Sequence, residues 1–394
     1  MRFAGLFAGI GGFELGLHRA GHETDLVCDI LPAARAVLTA RFPSAEYRDD
    51  ITQLRALPAS VDAVCAGFPC QDLSQAGRTA GLEGERSGLI GEVFRLLSRR
   101  RVPTVIVENV PFMLQLGGGN AMRAIIDEFE RRGYRWAYRV VDSWGFGLAQ
   151  RRERVFLIAS RAIDPASVLL ADDRPLARPT SCLGQVPHGF YWTEGLGGLG
   201  WAVDAVPTLK NGSTIGIPSP PAVLMPDGRI LRLLIGDGER LQGFETDWTL
   251  PAETVARPSA RWGLVGSAVS VPVAEWIGRR LLDPGIFDAG RDREFPNAGK
   301  APQAARFDGR RRYAVEISRD PIGLTPPSVA SFMRDRETPT LLSAKATRGF
   351  LERTRRAKLR FVPGFIDAVE RHLLAMGGEV PRYGPPNQME LLVA

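Results

Sequence analysis

The chain has 394 residues, is 44% hydrophobic and carries a formal net charge of +6, so it can bury a large core and divide into two or three units. Its four cysteines (Cys28, Cys65, Cys70, Cys182) show no CxxC spacing and its four histidines do not gather near them, which argues against a structural zinc site or a disulfide framework. No signal peptide opens the chain and no window is long enough to cross a bilayer, so the expectation is a cytoplasmic protein with no metal. Residues 285–394 hold 19 Lys+Arg against 13 Asp+Glu, and the other 284 residues hold 31 of each. The basic excess, a hint of a polyanionic partner, therefore sits in what reads as a C-terminal appendage.

The first sixty residues read strand, Gly-rich turn, helix, strand. Residues 2–7 suit a strand, and Ala8-Gly9-Ile10-Gly11-Gly12 a tight turn where a ligand can approach the backbone. A helix then carries Phe13, Leu17 and Ala20, and Gly21 ends it. The third glycine of a GxGxxG fingerprint would fall at Glu14, so a dinucleotide site of that kind is not indicated. Residues 24–29 form a second strand ending in Asp29, an acid placed to accept hydrogen bonds from both hydroxyls of a ribose. Asp49-Asp50 stands where a third strand would end.

Residues 61–66 suit a buried parallel strand, after which Gly67-Phe68-Pro69 turns the chain into a long polar loop. Cys70 follows that proline at the carboxyl end of the strand, where open α/β sheets bind ligands. A lone cysteine is ordinarily a small core residue, but in this setting it reads as a nucleophile. A helix at 92–101 precedes a strand at 104–107, and Glu108-Asn109 leaves its carboxyl end. An acid there costs desolvation unless it has a partner. A helix at 121–132, strands at 134–141 and 154–159, and the arginine-rich loop Gln150-Arg151-Arg152-Glu153-Arg154 follow. The repeated β-α-β order predicts an α/β, doubly wound, mostly parallel sheet.

From about residue 164 Pro, Gly and aromatics replace periodicity, and only short strands and loops are expected. Residues 237–248 read as a short helix entering a turn, and 264–282 as a turn followed by an amphipathic helix. The tail reads as polar to about Arg312, then a strand at 313–317, a helix at 327–334 and a basic stretch at 348–360.

The ordered set FAGIGG (7–12), GFPCQDLSQAG (67–77), ENV (108–110), QRRERVF (150–156), ERLQGF (239–244) and VGSAVSVPVAEWIG (265–278) resembles the DNA (cytosine-5)-methyltransferases over roughly residues 1–282. The tail is similar to an extension found in a bacterial subset of that family. The resemblance implies a class I S-adenosylmethionine-dependent fold with a catalytic domain at 1–163 completed by 262–284. It also implies an inserted target-recognition domain at 164–261 and a basic extension at 285–394. In the family's chemistry Cys70 would add to C6 of a flipped-out cytosine, raising electron density at C5 so that it accepts the methyl group. Glu108 would hold and protonate N3, Arg154 and Arg152 would donate to O2 and the surrounding loop, and Asn109 would shape the pocket. For S-adenosylmethionine the resemblance implies Phe7, the turn Ala8 to Gly12, Asp29, Ile30, Asp50, Ile51, Pro69, Leu89, Ser267 and Val269. For DNA it implies Gln71, Ser74 and Arg86 in the lid loop. The basic stretch itself offers Arg353, Arg355, Arg356, Lys358 and Arg360 to track phosphates, with a solvated helix face as the alternative reading.

Two positions depart from the family's pattern: Ser267 stands where Asn is usual, and Gly5 where the first strand often has Asp. The partners implied are double-stranded DNA and a cognate restriction endonuclease, with a monomer expected. The alternative substrate is tRNA, with the same chemistry. An amino-methyltransferase, prompted by Ser219-Pro220-Pro221, is disfavoured because Ala222 follows where an aromatic residue is needed. A catalytically silent DNA-binding protein would have lost Cys70 or Glu108, and both are present.

Overall fold

Period-two burial organises the molecule. Phe3, Ala63, Cys65, Ile106 and Ile158 point to one core, and Ala4, Leu6, Val64, Ala66, Val105, Val107 and Leu157 to another. Strands apolar on both faces must be covered on both, and helices do so here. The computed structural model describes residues 1–68, 88–212, 218, 220–333 and 340–381. In chain order the first elements are β1 (Arg2–Leu6), α1 (Gly12–Arg19), β2 (Glu23–Cys28), α2 (Pro32–Arg41), β3 (Glu46–Arg48), β4 (Ala63–Gly67) and α3 (Gly88–Arg99). Next come β5 (Thr104–Asn109), α4 (Asn120–Arg131), β6 (Arg135–Asp142), β7 (Gln150–Arg151), β8 (Glu153–Ser160) and α5 (Pro165–Leu169).

The central part of the main sheet runs β6-β8-β5-β4-β1-β2-β3. Neighbours from β3 to β5 pair in parallel, whereas β8 is antiparallel to both β5 and β6. The reversal matters for the site. Because β8 runs backwards, its first residues lie at the carboxyl edge of the parallel strands, beside the end of β5.

The expected recognition segment, residues 164–261, forms β9 (His188–Phe190), β10 (Ala202–Val203), β11 (Val206–Pro207), β12 (Ala222–Leu224) and β13 (Ile230–Arg232). Four of these strands make a second sheet ordered β10-β9-β12-β13, and β11 pairs with β7. Then follow α6 (Ile235–Leu241), α7 (Arg261–Ser267) and α8 (Val271–Leu282). Helix α8 returns to the first turn of the chain. A Cβ on Gly16 would lie 2.6 Å from that of Ala274, and a Cβ on Gly278 2.7 Å from that of Ala20, so both glycines permit the close approach of α1 and α8.

Several expectations need correction. Val265, Gly266 and Ser267 are not a turn but the end of α7, with the break at Ala268–Ser270; the two glycines of α7 disguise it. The short helix entering a turn expected at 237–248 is α6, which ends at Leu241, with Gly243 at φ 89° in the turn. The helix expected at 327–334 is a 3-10 turn, Val329–Met333. The tail is no appendage, either. It contributes β14 (Asp292–Glu294), β15 (Ala304–Phe307) and β16 (Arg312–Val315), which extend the main sheet past β6 to ten strands. Its helices α9 (Ala344–Arg356) and α10 (Phe365–Ala375) then cover the recognition sheet, where Phe350, Leu351, Phe365 and Val369 pack on Phe190, Leu224 and Ile230. The strand expected at 313–317 is β16, whereas β14 and β15 escape sequence reading because they are only three and four residues long in a stretch that reads as polar.

Candidate active site

At the carboxyl edge, the β4–β5 register sets Gly67 opposite Glu108. A Cβ on Gly67 would lie 3.5 Å from Glu108 Oε2, so the strand exit passes directly over the carboxyl group. Glu108 is buried, and Arg154 Nε stands 3.0 Å from its Oε1. Burial pushes the Glu108 carboxyl up, and Arg154 and then Arg152 only partly offset this. The site therefore holds a carboxyl group able to keep a proton where an ordinary glutamate would have lost it. Asn109 donates from Nδ2 to the carbonyl of Phe68 at 3.0 Å, fixing the backbone that leads into residue 70. Cys70, Pro69, Gln71, Ser74 and Arg86 lie outside the described residues.

Arg152 takes the part of its expected role that concerns the surrounding loop. It is fully buried, and its guanidinium donates to three carbonyls: Leu209 (3.2 Å), Gly266 (3.2 Å) and Ala268 (2.6 Å). Its terminal nitrogens are committed to backbone, so it orients loops and is not placed to hold a base. Arg154, by contrast, lines a cleft of about 410 Å³ with Pro111, Tyr191, Trp201 and Thr208, between the ends of β5 and β8 and the recognition segment.

Beside this lies a second, largely apolar cavity of about 600 Å³. Phe7, Gly9, Asp29, Ile30, Asp50, Ile51, Leu89 and Ser267 all line it. Phe7 has φ 57°, a left-handed backbone that costs a non-glycine residue about 1–3 kcal/mol and is typical of binding sites. Asp29 accepts from Gly9 N at 2.8 Å and from Leu31 N at 2.9 Å, which fixes the carboxylate and leaves its other lone pairs for donors in the cavity. Ala8, Ile10, Gly11, Gly12 and Val269 do not line it. Ile10 is buried beneath the turn, where its carbonyl accepts from Trp248 Nε1 at 2.8 Å. Gly11 leaves space for Phe42, and Gly12 for the Val269 carbonyl, which a Cβ would approach to 2.3 Å. Those residues build the turn; Phe7, Gly9 and Asp29 face the ligand space. A further cavity of about 680 Å³ at the β14 edge shares none of these residues, and its Arg312 is paired with Asp127 and Glu130.

Two sequence features acquire reasons here. Gly5 gives the Glu14 carboxyl its place: a Cβ there would sit 1.8 Å from Glu14 Oε1, so a larger residue at position 5 would have to displace it. Burial raises that Glu14 carboxyl to about 7. The ERLQGF segment builds rather than binds. Glu239 is a buried hub that accepts from Asp247 N, Thr249 N and Arg261, and Gln242 donates to the Val265 carbonyl at 2.9 Å. Together they clamp α7 as a wall of the cavity.

Sequence reading missed that wall: Asn211, Val255, Ala256, Ala260, Gly263 and Leu264 also line the cavity. The signal was the helical spacing of 260, 263/264 and 267, hidden by the glycines. In the tail, Arg353 donates to the carbonyls of Glu194 (2.9 Å) and Trp192 (2.7 Å), and Arg355 is paired with Glu370. Arg353 thus docks the tail on residues 192–194 and Arg355 joins α9 to α10, so both are engaged within the protein. Arg356 is exposed.

The comparisons with known proteins agree with this geometry. The family model described as C-5 cytosine-specific DNA methylase matches residues 1–177. Type II methyltransferase M2.BsuMI of Bacillus subtilis (strain 168) is 44% identical over 384 residues, covering 94% of this chain and 98% of that protein. M.MspI of Moraxella sp is 33% identical over 161 residues, 40% of this chain and 38% of its own length. Among solved structures, the S. pombe Dnmt2 methyltransferase aligns with TM-score 0.51 at 14% identity, covering 72% of this chain and 98% of that one, a likeness of fold. With a relative so similar along nearly its whole length, the chain belongs to the C-5 cytosine-specific DNA methylase family and is a DNA (cytosine-5)-methyltransferase.

Proposed function

We propose that the enzyme methylates cytosine in duplex DNA through a transient covalent bond from Cys70, with S-adenosylmethionine in the 600 Å³ cavity. The observation that carries this reading is the buried Glu108–Arg154 pair at the exit of the strand that leads to Cys70. C5 of cytosine is a poor nucleophile. Addition of the Cys70 thiolate to C6 makes the ring an enamine, and protonated Glu108, hydrogen-bonded to N3, offsets the charge that develops there. Arg154 holds Glu108 and faces the cleft where O2 of the base would lie, while Asn109 fixes the Phe68 carbonyl so that the cysteine is presented in one geometry. S-adenosylmethionine supplies the methyl group. Loss of the C5 proton then re-forms the C5–C6 double bond and expels the thiolate. A stacked base cannot reach these groups, so the cytosine must leave the duplex.

For the cofactor, Asp29 fits the ribose hydroxyls, Phe7, Ile30 and Ile51 the adenine, and Asp50 and Ser267 its polar edges. Residues 164–261 serve as the recognition part, and residues 285–394 reinforce both this part and the catalytic sheet. Gln71, Ser74 and Arg86 would contact DNA from the lid loop, with Arg356 as a phosphate contact from the tail. The type II names of the relatives support a role beside a cognate restriction endonuclease. Incubation of the enzyme with labelled S-adenosylmethionine, genomic duplex DNA and tRNA in parallel tests the substrate. Label in DNA at C5 of cytosine is expected; label in tRNA alone would overturn the duplex-DNA reading.

A further inference from the structure

Helix α7 contains two glycines in seven residues, Gly263 and Gly266. Each lowers helix propensity relative to alanine, so a short helix should not carry two without a reason. The reason is a close crossing by the recognition segment. A Cβ on Gly266 would lie 2.2 Å from the carbonyl carbon and oxygen of Lys210, and a Cβ on Gly263 would lie 2.7 Å from Asn211 Oδ1. The crossing is also held from the other side. Leu209 N donates to Gln150 Oε1 at 2.9 Å, the Leu209 carbonyl accepts from Arg152 at 3.2 Å, and the Lys210 ammonium sits 3.9 Å from the centre of the Tyr191 ring.

This apparatus delivers one side chain into the larger cavity. Asn211 lines it together with Gly263 and Ser267, and Asn211 is exposed, so its amide opens into the ligand space. Gly263 and Ser267 are four residues apart and share a face of α7. The Asn211 amide therefore lies one helical turn along from the short Ser267 hydroxyl, on the same wall.

We propose that Asn211, although it comes from the recognition segment, is a cofactor-binding residue whose amide hydrogen-bonds a polar group of the S-adenosyl ligand. The inference rests on the reading of this cavity as the S-adenosylmethionine site. It makes the ligand pocket a composite: the main sheet provides Phe7 and Asp29, and the segment that faces DNA provides one polar contact.

Calorimetric titration of S-adenosylhomocysteine into the full chain tests it. Asn211→Ala is expected to weaken binding about tenfold, the worth of one good hydrogen bond. Its thermal unfolding should be unchanged, because the side chain removed is exposed. Adding Ser267→Asn to Asn211→Ala brings an amide back to the same wall and is expected to recover at least about threefold. Wild type binding with an unchanged Asn211→Ala overturns the proposal alone. A wild type that binds no S-adenosylhomocysteine overturns the cofactor reading and this proposal with it.

Discussion

Exchanging Glu108 for glutamine is expected to lower kcat by about a hundredfold to ten-thousandfold, the usual worth of a positioned general acid. Glutamine fills the same space, and its oxygen can still accept from Arg154 Nε, now 3.0 Å from the carboxylate. It can donate to N3 of a base but cannot give up a proton as charge develops there. The loss should therefore appear in kcat, with KM for DNA changed far less. The pH dependence gives a second check. Burial raises the Glu108 pKa, so the proton is retained as pH increases past the ordinary carboxylate range and is lost only above the raised value. Activity in the wild type should fall as pH rises through that value, and the Gln variant should lack that limb. A variant with wild-type kcat would remove Glu108 from the chemistry.

The second large effect is expected at Arg152. Its guanidinium spans carbonyls from three places, Leu209, Gly266 and Ala268, so it joins the chain after β11 to the end of α7, which walls the 600 Å³ cavity. Arg152→Met leaves those buried acceptors without their donor. Urea unfolding should show a loss of about 1–3 kcal/mol, the penalty of leaving buried acceptors unsatisfied. Arg152→Lys keeps the charge but has no planar fork to reach three carbonyls, and should recover little of it. Where the variants fold, S-adenosylhomocysteine binding should weaken even though Arg152 is not part of the cavity wall. A midpoint equal to that of the wild type would contradict the clamp.

How far the sequence alone reached depends on the kind of information each residue carries. The parallel strands were legible because runs such as Val105-Ile106-Val107 are apolar on both faces and end at turn residues. Gly9, Asp29 and Glu108 were legible as candidates from their positions at strand ends, where open α/β sheets bind ligands, whereas Phe7 entered only through the family resemblance. Arg152 and Arg154 could not be told apart, since both are arginines in one loop with the same period-two side. Only the tertiary packing turns one toward three carbonyls and the other toward a carboxylate. Arg353 and Arg355 read as a basic stripe, yet their partners, Trp192, Glu194 and Glu370, are remote in sequence or a helix away. Helix α7 was missed because glycine marks both a turn and a close crossing. Gly5 and Glu14 show the converse. Each alone is a departure without meaning, and only their contact explains the pair.

The central claim is that a sulfur atom of this chain bonds to the base during methyl transfer. Duplex DNA carrying 5-fluorocytosine at the methylated position, incubated with enzyme and S-adenosylmethionine, tests it most directly, because fluorine at C5 cannot leave as a proton does. A denaturation-resistant protein–DNA adduct whose DNA-linked peptide contains Cys70, absent from Cys70→Ser, is the expected result. Methylation of ordinary DNA with no adduct on the fluorinated duplex, or an adduct that persists in Cys70→Ser, would contradict the account.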